Sequence, residues 1–241
     1  MKKIHIILQG KGGVGKSLIA AAIAQYKVAK GDEMVCIDTD PVNATFGGYK
    51  GLNVRRLNIM EEDEINPRNF DAMVEIIAQS KGDVVIDNGA SSFVPMSHYL
   101  ISNQVPSLLT EMGFELVIHT VVTGGQALLD TINGFAHLTS QFPKETTHVV
   151  WLNPYWGPVE HEGKGFEAMK AYQSNKGKVK AIVKIPNLKA ETFGRDFSDM
   201  LQARLTFDEA LAMDSLTIMS RQRLKLLQTE LFGQMDKAAV L

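Results

Sequence analysis

The chain has 241 residues, of which 45% are hydrophobic and 22% charged, and its 25 basic and 27 acidic side chains leave a formal charge of −2. That balance excludes disordered, collagen-like and coiled-coil classes and removes global basicity as a reason to expect nucleic-acid binding. A single cysteine, Cys36, excludes an internal disulfide, an iron–sulfur cluster held by one chain and a thiolate zinc site.

Short apolar runs rich in Ile and Val predict strands at 4–8, 34–37, 84–86, 116–122, 149–152 and 181–185. They are continuously apolar rather than alternating, the pattern of strands buried on both faces of a parallel sheet. Helical spacing follows at 17–30, 69–79, 125–141, 165–174 and in a C-terminal series from 196. The expected fold is therefore a three-layer α/β P-loop NTPase fold, a mostly parallel central sheet flanked by helices. No repeat or linker divides the chain, so one nucleotide-binding domain over 1–241 is expected. The stretches 43–67 and 88–113 are too long for ordinary loops and should hold short helices or switch regions near the site. No run approaches the roughly 20 apolar residues of a membrane span. The first apolar run ends in a glycine loop rather than a cleavage site, so a cytoplasmic location is expected.

Residues 10–17 read GKGGVGKS and satisfy G-x-x-x-x-G-K-[ST] between a predicted strand and a predicted helix. Gly10, Gly12, Gly13 and Gly15, with Lys11 and Val14, can curl the backbone so that its amides face phosphate oxygens, and the following helix adds its positive end. Lys16 would neutralise β- and γ-phosphate charge, and Ser17 would ligate Mg²⁺. Gly10, Gly12 and Gly15 also fit the dinucleotide fingerprint G-x-G-x-x-G, but a dinucleotide site has no use for the Lys16–Ser17 pair.

The second strand runs into CIDTDP, which places Asp38 and Asp40 at the ligand-binding end of an open sheet. One carboxylate can support a hydrated metal and the other orient a water, although Asp and Pro together also build plain turns. Asp87 ends DVVID as a Walker B acid would, and an unpaired carboxylate there implies a metal or basic partner. Asn153, in WLNPYWG, can pair with a base edge. The guanine-reading N-K-x-D element does not follow Leu152, so ATP with Mg²⁺ is the expected cofactor.

KGGVGKS, with its early Lys11, together with DTDP and VVIDN, resembles the deviant Walker A ATPases of the ParA and MinD type. The resemblance implies a nucleotide-dependent homodimer in which Lys11 reaches the partner's phosphates, an arginine-finger role worth on the order of 10³ to 10⁵ in rate. It also implies that Asp40 positions water, that Asn153 contacts the base and that Pro186 belongs to a nucleotide-site loop. LQGKGGVGKS, CIDTDPVNATF, VVIDNGASSF, VVTGGQALLDT, WLNPYWGP and FGRDFSDML are similar, over nearly the whole chain, to a conjugal-transfer family of broad-host-range plasmids. That implies a slow, partner-stimulated ATPase acting as a switch or accessory factor in the conjugation machinery. The rival readings are a non-enzymatic, nucleotide-stabilised interaction protein and a partition-type DNA-positioning ATPase. Pro41 is followed by Val42, Asn43 and Ala44 where ParA-like proteins often carry Gln-Gly-Asn, which suits a different switch partner.

DNA binding would have to use Arg55–Arg56 or Arg221, Arg223 and Lys225, which solvated faces explain equally well. Leu224, Leu227 and Leu231 share one helical face, read as core packing rather than a membrane-binding stripe. His161–Glu162 lacks the second histidine of an H-E-x-x-H zinc site, and no nucleophile elbow is present. Trp151, Tyr155 and Trp156 can line a partner surface or pack into the core.

Overall fold

The computed structural model describes residues 1–144 and 146–241. In chain order the strands are β1 (Lys2–Ile7), β2 (Met34–Asp38), β3 (Arg55–Arg56), the hairpin β4 (Met60–Glu61) and β5 (Glu64–Ile65), β6 (Asp83–Asp87), β7 (Phe114–Thr123), β8 (Thr147–Asn153), the hairpin β9 (Glu160–His161) and β10 (Lys164–Gly165), and β11 (Val179–Lys184). The helices are α1 (Lys16–Ala29), α2 (Asp71–Gln79), α3 (Phe93–Ser102), α4 (Val105–Glu111), α5 (Leu128–Gln141), α6 (Lys170–Asn175), α7 (Arg195–Gln202), α8 (Phe207–Ala212) and α9 (Ile218–Ala238).

Seven strands form one sheet in the order β11-β8-β7-β1-β6-β2-β3, and every neighbouring pair is parallel. Successive strand residues pack on opposite layers, which is why the runs are apolar without alternation. Ile4, Ile6, Ile37, Val84, Ile86, Leu116 and Ile118 meet α2, α3 and α4 through Met73, Ile77, Met96, Leu100 and Leu109. Val85, Val117, Val121, Val149, Trp151 and Val183 face α1, α7, α8 and α9. The alanines at 20, 21, 22 and 24 in α1 are buried, so this helix is covered on two sides and shows no clear polar face. Leu224, Leu227, Leu231 and Met235 of α9 are buried in the same cluster, as expected from their spacing. No helix among the described residues is long and apolar enough to cross a membrane.

The face under α1 also carries a buried polar chain. Trp151 Nε1 donates to His119 Nδ1 at 2.9 Å, so a neutral His119 must carry its proton on Nε2. That nitrogen lies 2.9 Å from His5 Nδ1 and donates to it. His5 Nε2 then points toward Asp83, 3.9 Å away, whose carboxylate is paired with Lys27 at 2.8 Å. Burial lowers both imidazole pKa values, so the chain is held neutral.

The six predicted strands are all present, and their observed bounds extend one to two residues beyond several runs. The charged strand β3 was not foreseen, because Arg55 and Arg56 sit on an exposed edge where no apolar pattern is needed. Residues 88–113 hold α3 and α4, whereas 43–67 hold β3, the β4–β5 hairpin and single 3₁₀ turns. The helix expected over 165–174 is shorter, since Gly165 and Met169 adopt extended backbone and only Lys170–Asn175 is α-helical.

Candidate functional site

The phosphate loop leaves β1 at the centre of the sheet. Leu8 N still donates to the His119 carbonyl at 2.8 Å, and Gln9 Nε2 donates to the Val121 carbonyl at 2.9 Å, so the loop starts from a fixed base. Gly13 and Gly15 take φ of +71° and +102°, the left-handed region that side chains disfavour. At Gly15 space is limiting as well, because a Cβ would stand 2.9 Å from Asn153 Nδ2. The chain then enters α1 at Lys16, and its first amides face the concavity as a ready anion site.

Parallel register brings the acids together. Asp38 pairs with Asp87 across β2 and β6, and Asp87 pairs with Ile7 across β6 and β1. Asp38 is fully buried, and its two oxygens accept from Asp40 N at 2.9 Å and Gly47 N at 2.7 Å. Asp40 Oδ1 accepts from Val42 N and Asn43 N at 2.9 and 3.0 Å, folding the turn after β2. Asp87 differs: it is buried, and its Oδ1 has no hydrogen-bond partner. Burial pushes its pKa up to about 7, with Asp38 and Asp40 adding to the rise and the Ser17 hydroxyl and Lys16 opposing it. Lys16, 8% exposed, donates among the described residues only to the Lys11 carbonyl, at 2.9 Å. Burial lowers its pKa against the pull of Asp87 and Asp40. The site thus holds a buried cation and a buried carboxylate oxygen that lack full partners, which a phosphate chain and a divalent cation would supply.

A cleft of about 560 Å³ opens here, lined by Gly12, Gly13, Gly15, Lys16, Ser17 and Asp40 among the residues expected from sequence. Thr45, Tyr49, Ala90, Ser91 and Leu201 line it too. Thr45, Ala90, Ser91 and Leu201 fall inside stretches shared with the conjugal-transfer family, but the sequence assigned none of these five residues a role at the site, because the chain reaches the cleft there only by folding back. Gly89, next to Ala90, has a steric reason of its own: its missing side chain admits the Asp40 carboxylate, which would stand 2.7 Å from a Cβ.

Other expected residues lie beside the cleft rather than in its lining. Val14 is buried in the α1 core, and Gly10 packs against the Phe93 ring. Asn153 Nδ2 donates to the Val14 carbonyl at 2.9 Å, and its Oδ1 accepts from Tyr155 N at 3.1 Å. Pro186 sits with Ile185 near Leu18 and Trp151 in a small apolar gap under α1. The Lys11 ammonium pairs with Asp130 at 2.8 Å, whereas its backbone carbonyl accepts from Lys16. Of the basic clusters, Arg223 is paired with Asp196 and Arg221 donates to the Met213 carbonyl, so only Arg223 has its charge met by an acid here.

Residues 5–218 match the family described as the CobQ/CobB/MinD/ParA nucleotide binding domain. Two Escherichia coli proteins, each called Protein TraL, are 73% and 75% identical to the chain over 241 residues, the whole of this chain and of each relative. A chain of the MinC:MinD cell division protein complex of Aquifex aeolicus superposes with a TM-score of 0.53 at 14% identity, covering 96% of both chains, a likeness of fold.

Proposed function

The chain belongs to the CobQ/CobB/MinD/ParA nucleotide-binding domain family, and on that premise we propose that it is a Mg-ATP-binding ATPase acting as a nucleotide-dependent switch in plasmid conjugative transfer. The observation that carries the nucleotide and metal part is Asp87 Oδ1, buried and unpartnered beside Lys16 and Ser17. Such an oxygen costs free energy unless a cation completes it.

Bound Mg-ATP would bring the phosphoanhydride to be cleaved and the cation that neutralises its charge. The chain's own contribution is positional. The loop amides and the start of α1 hold the phosphates, and Lys16, already desolvated, meets them without giving up bulk water. Ser17, through its hydroxyl, and Asp87, through its carboxylate, are the residues that would hold the cation. Asp38 fixes the β2 exit through Gly47 and Asp40, and would be the second acid to support the cation. Asp40 borders the cleft with its Oδ2 free of the turn bonds, the place for an acid that orients water. Lys11, directed outward, is placed to act on a second copy in a nucleotide-dependent homodimer. Asn153 and Pro186 are proposed at the base side, Asn153 acting through the Val14 carbonyl.

The conjugation assignment rests on the full-length relatives called Protein TraL and on the motifs shared with conjugal-transfer proteins. A protein component of that machinery is the proposed partner, and cytoplasmic residence is the proposed location.

The test is phosphate release by the wild type, Lys16→Ala and Lys11→Ala, with ATP binding measured in parallel. Turnover should vanish in both variants, and binding should survive only in Lys11→Ala. Wild-type turnover in Lys11→Ala overturns the trans role. No turnover by the wild type, with or without conjugation proteins, replaces the ATPase reading with that of a nucleotide-stabilised interaction protein.

A further inference from the structure

Helix α7 ends in a Schellman turn, in which Leu205 N donates to the Met200 carbonyl and Arg204 N to the Leu201 carbonyl, both at 3.1 Å. The residue at the apex of such a turn takes left-handed backbone and is usually glycine. Here it is Arg204, at φ +52°, a conformation that a side chain makes costly and that persists only where its neighbours impose it. Facing it is Gly48, in the turn at 46–49 that follows β2. The Arg204 side chain runs directly over Gly48, where a Cβ would stand 2.2 Å from Arg204 Cδ. Gly48 lies outside the left-handed region, so the close approach rather than its backbone asks for a glycine. The next turn makes a second contact of this kind. The Glu209 carboxylate, which caps α8 by accepting from Thr206 N at 2.9 Å, lies against Gly51, where a Cβ would stand 2.9 Å from it.

We propose that Arg204 is a positioning residue of the nucleotide site: packed over Gly48, it holds the 46–49 turn so that Gly47 N keeps the Asp38 carboxylate aligned for the cation. The proposal rests on the Mg-ATP reading above and names the residue that sets one of its acids. The turn under Arg204 belongs to the site, since Gly47 N donates to Asp38 Oδ2 at 2.7 Å and Thr45 and Tyr49 line the cleft. Tyr49 lies within reach of both ends of this arrangement. Burial pushes its hydroxyl pKa up to about 12, with Arg204 opposing the rise and Asp87 adding to it. Two adjacent glycines leave a turn more freedom than any other pair, so a donor at Gly47 stays aligned only if something outside the turn fixes it. Arg204 supplies that hold, and its own base is firm. Phe207 N, three residues on, donates to Gln25 Oε1 at 2.7 Å, which ties the arm to the helix that also carries Lys16 and Ser17. Groups that orient a metal-holding carboxylate without touching the metal commonly govern its affinity.

The test is equilibrium dialysis of a non-hydrolysable ATP analogue, with Mg²⁺ and with a chelator, on the full-length wild type, Arg204→Gly, Gly48→Ala and the double variant, with nucleotide-free melting temperatures in parallel. Arg204→Gly gives the α7 turn the residue its backbone favours, so it should melt at or above the wild type. It should nevertheless lose about 10-fold in Mg²⁺-supported affinity, as loss of an orienting group does, and bind as the wild type does in chelator. Gly48→Ala should lose affinity in the same selective way, because its methyl group displaces Arg204. The double variant should stay within about twofold of Arg204→Gly, since both changes break one contact. A wild type whose affinity ignores Mg²⁺ removes the Mg-ATP reading and this proposal with it. With wild-type Mg²⁺ dependence present, its persistence in Arg204→Gly overturns the proposal while that reading stands. Equal losses with and without Mg²⁺, or losses that multiply in the double variant, would make Arg204 a helix-end packing residue and also overturn it.

Discussion

Asn153, at the end of β8, donates its Nδ2 to the Val14 carbonyl at 2.9 Å, 139 residues earlier in the chain. Its Oδ1 meanwhile accepts from Tyr155 N at 3.1 Å, so one side chain ties the β8 exit turn to the phosphate loop. The bond to Val14 is buried and the one to Tyr155 partly so, and losing the buried one leaves a carbonyl unpaired at about 1–3 kcal/mol. Asn153→Ala should therefore lower the melting temperature by several degrees and weaken ATP and GTP binding by a similar factor. Calorimetry with both nucleotides checks this. Loss of ATP affinity alone would mean that Asn153 reads the base directly.

The two left-handed glycines of the loop should respond differently to alanine. At Gly13 nothing lies within 4 Å of an added Cβ, so the cost is the backbone term alone, about 1 kcal/mol. At Gly15 the same term combines with a clash against Asn153 Nδ2 at 2.9 Å. Gly15→Ala should be the less stable in urea denaturation and lose nucleotide binding, with Gly13→Ala folding close to normally.

Asp87→Asn keeps the shape of a buried side chain while removing the charge that burial penalises. The nucleotide-free variant should match or exceed the wild type in melting temperature, most clearly at pH 8, where the wild-type carboxyl is ionised. It should at the same time lose the Mg²⁺ dependence of nucleotide binding. A fall in stability with Mg²⁺ dependence intact would make Asp87 a structural acid. Sites of this kind commonly trade stability for function.

Acid should unfold the protein in two stages. His148 is buried without a partner for either ring nitrogen, and burial, with Lys178 adding to it, lowers its pKa to about 4. His119 is lowered by burial, then by His5 and His148. His5 is lowered by burial, with Asp83 opposing and Lys27 and Lys3 assisting. A histidine whose folded pKa is depressed contributes stability that is full above its unfolded value near 6.5 and is lost as pH falls toward the folded value. For His148 alone that is about 3 kcal/mol between pH 6.5 and 4. Asp83, held below the usual carboxylate range by His5, Lys27 and the Lys3 amide against the opposing effect of burial, adds a loss below about pH 4. Urea titrations at pH 7.5, 6, 5 and 4 should show the decline beginning near 6.5. His148→Phe should flatten its upper stage.

Residues 10–17 announce a phosphate loop because its chemistry is local: a run of glycines, a lysine and a hydroxyl act within one turn of each other. The layered α/β fold is legible for a similar reason, since Val84–Ile86 is apolar at every position, and Ile4, Ile6 and Ile7 supply apolar side chains to both layers, only if both faces are covered. The strand end at Asp87 could be read because a carboxylate closing such a run needs a reason to be there.

The tertiary structure decided what depends on partners distant in sequence. Asn153 faces the loop and Gly89 makes room for Asp40 because β8 and β6 come to rest beside β1 and β2, which no local pattern encodes. Asp38 is committed to Gly47, and Tyr49 and Leu201 wall the cleft, through chain that returns after long excursions. Lys11 finds Asp130, and Tyr155 and Trp156 gather beside them, only when the β7 and β8 exits meet. A motif fixes what a few adjacent residues can do to a ligand. Packing across a parallel sheet fixes which of them stand together, because neighbouring strands are joined by whole helices.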